Sequence, residues 1–191
     1  MDDTSQKIVD ATMSLIRDKG YVATTTKEIA RKAEVNECTL FRKFKNKKDI
    51  VMQGVAQAEW RANVTPKIFE NVTWDLQKDL EMFMRAYMDR MTPDFVNLSI
   101  ALRAPQLYDE TKDFIMKVPQ AFLSSFIEYL KKMYEKGKIP QGDFEALAMV
   151  FFSSTFGYVF LRASFQEELT KVDQETYIAN NVELFIKSMN G

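Results

Sequence analysis

An all-α fold is predicted by three observations. Six glycines and five prolines interrupt 191 residues, and no proline precedes Pro66; so few breakers leave long stretches free to stay helical. Apolar residues recur at three- and four-residue intervals through most of the chain, the spacing of one helical face. Side chains able to cap a helix stand just ahead of several of these stretches. Hydrophobic residues make up 46% and charged residues 28%, the proportions of a globular chain with a core to bury.

The elements follow in order. A first helix is predicted over 4–19, with Ile8, Val9, Thr12, Leu15 and Ile16 on one face and Gly20 at its left-handed cap. Thr25 and Glu28 have capping-box spacing and open a short second helix ending near Ala33. Asn36 caps a third over 37–44, and Asn46 a fourth that begins at Lys47 and is expected to run to 62. Ile29, Ala30, Ala33, Val35, Leu40, Phe44 and Ile50 are spaced to close a small core, with alanines where helices cross closely. Beyond residue 50 the texture changes: thirteen of fifteen Phe and nine of eleven Met lie there. Thr65-Pro66 and Thr92-Pro93 each place a capping hydroxyl ahead of a first-turn proline. Helices are predicted over 74–91, 94–104, 109–136 with a kink at Pro119, 143–165 and 173–189.

Net charge is −1, which decides nothing alone. Residues 1–50 carry 11 Lys and Arg against 8 Asp and Glu, whereas 51–191 carry 15 against 19. A local positive surface is enough to steer toward phosphates, because screening confines the field to about 10 Å. The lone Cys38 and the absence of histidine exclude an internal disulfide, His-ligated or multi-cysteine metal sites, and Ser-His-Asp or Cys-His catalysis. No metal and no cofactor is expected. Residues 1–14 show no basic-then-apolar signal segment, and the longest uncharged run, 146–161, is 16 residues, short of the ~18 of a membrane span. These predict a cytoplasmic protein with no membrane partner.

Residues 24–50 carry the chemistry. Two short helices joined by a tight turn, the second basic, form a helix-turn-helix: the second lies in the major groove of double-stranded DNA while the first braces the backbone. Thr25, Thr26 and Lys27 stand at one helix start and Asn36, Glu37 and Thr39 at the other, where hydroxyls and amides meet phosphates. Arg42, Lys43, Lys45, Lys47 and Lys48 place five positive charges within seven residues. Arg42 suits a guanine edge, Glu37 a cytosine amine and Thr39 a thymine methyl, while the lysines suit phosphates. The competing reading is a solvated basic face, with Glu37 there because an acid is favourable near a helix N-terminus. Capping pattern, small crossing residues and basic cluster agree in one window, which favours DNA. Cys38 on the reading helix is read as a small thiol rather than a redox sensor.

Gly20-Tyr21, Thr24-Thr25, Ile29-Ala30, Ala33-Glu34-Val35, Phe41 through Phe44 and Lys47 together resemble the N-terminal domain of the TetR family of transcriptional regulators, over about residues 4–55. Glu34 replaces the usual turn glycine, so the turn must avoid a left-handed conformation or accept strain. Phe41 replaces the common tyrosine and removes a hydroxyl that often reaches a phosphate. The resemblance implies an all-helical homodimer with a three-helix DNA-binding domain, 1–50, and a helical effector-binding and dimerisation domain, 51–191. It implies a repressor that binds a palindromic operator and is released when a small molecule fills the C-terminal domain.

In that C-terminal region, 143–165 is apolar nearly all round and must be covered on both sides. The stripe Ile178, Val182, Phe185, Ile186 and Met189 is expected to join it in a four-helix dimer interface, the alternative being plain monomer core. Trp60, Phe83, Tyr87, Met91, Phe122, Phe126, Phe152 and Phe156 are candidates to line a cavity for a small lipophilic effector; the competing reading is again core. An enzyme is not predicted, since no spacing joins a nucleophile to a base. A helical adaptor would bind partners without DNA affinity.

Overall fold

This computed structural model describes residues 1–57, 66–166 and 168–189. Among the described residues there are nine α-helices and no strand: α1 Asp3–Lys19, α2 Thr26–Lys32, α3 Glu37–Lys43, α4 Lys47–Ala56, α5 Leu76–Arg90, α6 Pro93–Ala101, α7 Tyr108–Glu135, α8 Phe144–Phe165 and α9 Gln174–Met189. A 3-10 turn, Pro66–Phe69, precedes α5. Helix α4 ends at Ala56; the expected continuation to 62, and Trp60 with it, falls outside the described residues.

Caps fix the starts of the first four helices. Asp2, which the sequence reading overlooked, accepts from the Ser5 amide at 2.8 Å. Thr25 and Glu28 complete the capping box, the Glu28 amide donating to Thr25 Oγ1 at 3.3 Å and the Thr25 amide to Glu28 Oε2 at 3.0 Å. Asn36 Oδ1 accepts from the Thr39 amide at 2.7 Å and Asn46 Oδ1 from the Asp49 amide at 2.9 Å. Each satisfies an amide that a helix start otherwise strands.

The chain divides into two compact units, Met1–Ala62 with Asp94–Ile115, and Asn63–Pro93 with Met116–Gly191. The first is closed by Ile8, Val9, Met13 and Ile16 of α1 against Ile29, Ala30, Leu40, Ile50 and Val51. Leu98, Leu102 and Leu107 join the same core, so the compact unit holding α2 and α3 extends well past residue 50. The physical reason is that α4 is apolar on more than one side: besides Ile50 and Val51 it buries Gly54 and Val55. A Cβ on Gly54 would stand 2.6 Å from Met13 Sδ, and this is what lets α4 pass close to α1.

The second unit packs α5, α7 from Met116 onward, α8 and α9. Phe83, Phe122, Phe126, Phe151, Tyr129 and Phe185 form one run of ring contacts, centroids 4.6 to 6.3 Å apart. Arg85 of α5 holds Glu175 of α9 with two nitrogen–oxygen contacts at 3.0 and 2.5 Å. Helix α7 is continuous through Pro119, whose missing amide leaves the Ile115 carbonyl without its helical donor. One expectation changes here. Ile178, Val182 and Phe185 of α9 are buried within their own chain, so these three are core rather than a surface for a partner, while Ile186 and Met189 are half-buried. Within its own chain, helix α8 is covered on one side: Phe151, Phe152, Thr155 and Val159 are buried while Met149 and Val150 are 53% and 62% exposed.

Candidate nucleic-acid interface

The reading helix α3 is only seven residues long, too short to be stable alone; it persists because Leu40 is fully buried and Phe44 nearly so. That anchoring turns the opposite side outward. Cys38 and Arg42 are exposed, and Phe41 is 52% exposed, so the side that must enter a groove is not covered by the other described residues. The turn before it closes with the Val35 amide donating to the Ala30 carbonyl at 2.9 Å. Glu34 takes the strained option, φ +56°.

The basic residues sort into two groups. Among the described residues, Lys27, Arg42 and Lys45 form no salt bridge and their side chains donate no hydrogen bond, and all three are exposed. The others are engaged. Lys43 Nζ lies 2.7 Å from Asp2, and Lys48 pairs with Glu110 at the start of α7. Lys47 Nζ donates to the Tyr21 carbonyl at 2.6 Å and the Thr24 carbonyl at 2.5 Å, and sits 4.1 Å above the Tyr21 ring. Partial burial, with Lys19 nearby, pulls its pKa below the ordinary lysine range. In this chain Lys47 locks the turn between α1 and α2.

Polar candidates at the two helix starts are also tied. Thr26 Oγ1 donates to Glu37 Oε1 at 2.9 Å, bridging α2 to α3. Thr25 Oγ1 serves as cap and donates to Glu28 at 2.8 Å. Asn36 is the cap of α3, and Thr39 is half-buried. The structure thus brings Thr25, Thr26, Lys27, Asn36, Glu37, Thr39 and Arg42 to one region, with Glu37 oriented by Thr26 rather than free. Asp2 and Glu110 were missed because ion-pair partners 41 and 62 residues away leave no trace in local spacing.

The candidate effector residues collect in the second unit. Phe83, Tyr87, Phe122 and Phe126 are fully or nearly fully buried, Met91 and Phe152 nearly so, and Phe156 is half-buried. They pack on one another: Tyr87 meets Phe122 edge-on at 5.3 Å and Phe152 at 5.7 Å. Beside them lies an open cleft of about 590 Å3, lined by residues including Phe69, Trp74, Ser125, Glu128, Tyr129 and Lys132. None of the cleft residues was anticipated. Two of its lining residues, Trp74 and Tyr129, are held by Asp79, fully buried, which accepts from the Thr73 amide and hydroxyl, the Trp74 amide and the Tyr129 hydroxyl at 2.7 to 2.9 Å. Burial first, then the Asp79 charge, pushes the Tyr129 phenol above its ordinary range. The sequence did hold a signal: an acid on the buried stripe of Leu80, Phe83 and Tyr87 demands partners.

Comparison with known proteins agrees with this architecture. The family profile "Bacterial regulatory proteins, tetR family" matches residues 8–53, and "AefR-like transcriptional repressor, C-terminal domain" matches 75–188. The chain is 34% identical over 190 residues to an uncharacterized HTH-type transcriptional regulator, YvkB, of Bacillus subtilis (strain 168), covering 100% of this chain and 99% of that one. It is 24% identical over 170 residues, 88% of each chain, to the biofilm operon icaADBC HTH-type negative transcriptional regulator IcaR of Staphylococcus aureus. The solved structure of the transcriptional regulator FadR from Bacillus subtilis in complex with stearoyl-CoA superposes with TM-score 0.65 at 22% identity, covering 95% of this chain and 97% of that one; at that identity the likeness is one of fold. Helix-turn-helix geometry, two matched profiles and a full-length relative converge: this chain belongs to the TetR family of bacterial transcriptional regulators.

Proposed function

We propose that this protein is a repressor that binds a palindromic operator as a homodimer and leaves it when a small lipophilic effector occupies the second domain. The observation that carries the reading is the outward side of α3, exposed and flanked by the cations Lys27, Arg42 and Lys45, which have no ion-pair partner among the described residues. In this reading Arg42 meets base edges, and Lys27 and Lys45 meet phosphates. Thr25, Thr26, Asn36, Glu37 and Thr39 orient the two helices on the duplex, and Lys43 and Lys48 reach phosphates on leaving their carboxylates. Residues 1–50 carry this role and 51–191 the effector and dimer roles. The protein works in the cytoplasm, where its DNA is.

Repression is supported by the negative regulator IcaR among the relatives. An apolar effector is supported by the aromatic core of the second unit, and by the acyl-CoA held by a protein of the same fold. The dimer is supported by exposed apolar residues on α8 and α9, Met149, Val150, Leu161, Phe165 and Leu184, more than an isolated solvated helix pair needs. Helix α8 is also long and apolar enough to cross a membrane by length and composition, but its buried side packs on the chain's own core. Helix α7 provides the route between roles: Phe122 and Phe126 lie on it, and its first turn holds Lys48 through Glu110.

A mobility shift against the protein's own upstream DNA tests the reading. Binding is expected to weaken steeply as salt rises. Arg42→Ala is expected to cost about 1–3 kcal/mol and relax one base preference, and Lys45→Ala to lower the salt slope by about one unit. An affinity flat in salt, or unchanged when Arg42→Ala and Lys45→Ala are combined, rejects the assignment.

A further inference from the structure

Tyr87 has no exposed surface, and its hydroxyl is the buried side-chain atom left without a hydrogen-bond partner among the described residues. Buried hydroxyls are nearly always paired, so this one needs an explanation. Burial alone pushes the phenol well above its ordinary range, so it remains a protonated donor at any cellular pH. Its surroundings are aromatic: Phe122 stands edge-on at 5.3 Å and Phe152 at 5.7 Å. Phe122 in turn meets Phe69 edge-on at 5.5 Å, and Phe69 lines the open cleft of about 590 Å3. Two ring-to-ring steps therefore separate the cleft from the unpartnered donor.

We propose that the Tyr87 hydroxyl is the polar anchor of the effector site, and that the effector is a neutral lipophile bearing one hydrogen-bond acceptor, such as a ketone or ester. It enters from the cleft by displacing the Phe69 ring, lies against Phe83, Phe122 and Phe126, and accepts the phenol's hydrogen. This rests on the effector-responsive reading above. The effector is neutral because no lysine or arginine is buried among the described residues, and the buried charge of this unit is itself an anion, Asp79; a carboxylate head placed there would lose its water without gaining a cation.

Calorimetric titration of the full-length protein with a shape-matched set tests this: butyrophenone, n-butylbenzene and 4-phenylbutyrate. The wild type is expected to bind the ketone about tenfold more tightly than the hydrocarbon, the scale of one buried hydrogen bond, and the carboxylate no better than the hydrocarbon. Tyr87→Phe is expected to fold with a raised melting temperature, bind the hydrocarbon unchanged and lose the ketone preference. Phe69→Ala is expected to keep that preference while speeding association. A ketone preference that survives in Tyr87→Phe, a preference for the carboxylate, or no binding of any probe overturns the site. A mobility shift on the same preparations keeps the two readings apart: DNA binding with no ketone preference removes the anchor alone, and a ketone preference without DNA binding removes the regulator alone.

Discussion

Glu34 holds φ at +56° in the turn between α2 and α3, a region where a Cβ crowds the following carbonyl at about 1–2 kcal/mol. The fold tolerates this because the residues on either side are pinned: Ala33 is buried and the Val35 amide is bonded to Ala30. Glu34→Gly removes the crowding and restores some unfolded-chain entropy. A net gain of about 0.5–1 kcal/mol is expected in urea denaturation, with the reading helix unmoved; a loss would mean the Glu34 carboxylate has a compensating role. Trp74, at φ +61°, has a different support. The buried Asp79 carboxylate takes both the Thr73 and Trp74 amides, and charge-assisted bonds of this kind outweigh the backbone strain. Tyr87 carries the opposite sign, since its lone buried hydroxyl costs about 1–3 kcal/mol without a partner.

Helix α2 spans seven residues, and its stability comes from its ends. Glu28 closes the capping box and lies 2.5 Å from Lys19; the Lys19 bond first, then the Thr25 bonds, lower its pKa from 4.5 to about 2. A carboxylate depressed in the folded state stabilises fully above its unfolded pKa, and that contribution fades as pH falls from 4.5 toward 2. Protection of the α2 amides, taken relative to their intrinsic exchange rates, is expected to fall across that window, and Glu28→Gln is expected to flatten the response. Gly54 shows the same dependence on neighbours for α4. Alanine there gains about 1 kcal/mol of helix propensity, but its Cβ would meet Met13 Sδ at 2.6 Å and Cγ at 2.8 Å. Met13 is fully buried, so it cannot swing away, and overpacking of this kind costs about 1–3 kcal/mol. Gly54→Ala is expected to lower the melting temperature; a rise would show that the α1 and α4 contact is slack.

At the scale of the whole molecule, α8 keeps an apolar side that its own chain leaves exposed. Val150 at 62% and Leu184 at 67% exposure stand on α8 and α9 away from the chain's own core. Val150→Arg is expected to leave helical content unchanged, shift sedimentation from dimer to monomer at micromolar concentration, and weaken operator binding by at least about 100-fold as the two heads lose their linkage. A wild-type protein that sediments as a monomer sinks the proposed assembly. One that stays dimeric with Val150→Arg places the contact on another face.

Helix positions were written locally, and so they could be read. Thr25 with Glu28, Asn36 and Asn46 cap where their spacing says, and Gly20, Pro93, Pro105 and Pro140 mark breaks, whereas Pro119 sits inside an unbroken α7. The helix-turn-helix was legible for the same reason, since its capping, small crossing residues and cations fall within one window of 27 residues, 24–50. Partnership across distance was not. Only the folded chain shows that Lys47 bonds the carbonyls of Tyr21 and Thr24, that Lys48 meets Glu110, that the α9 stripe faces its own core, and that Asp79 organises a turn and a tyrosine fifty residues on. Local periodicity states which side of a helix is apolar; what that side touches depends on loop closures that bring distant segments together, and no short stretch of sequence encodes them.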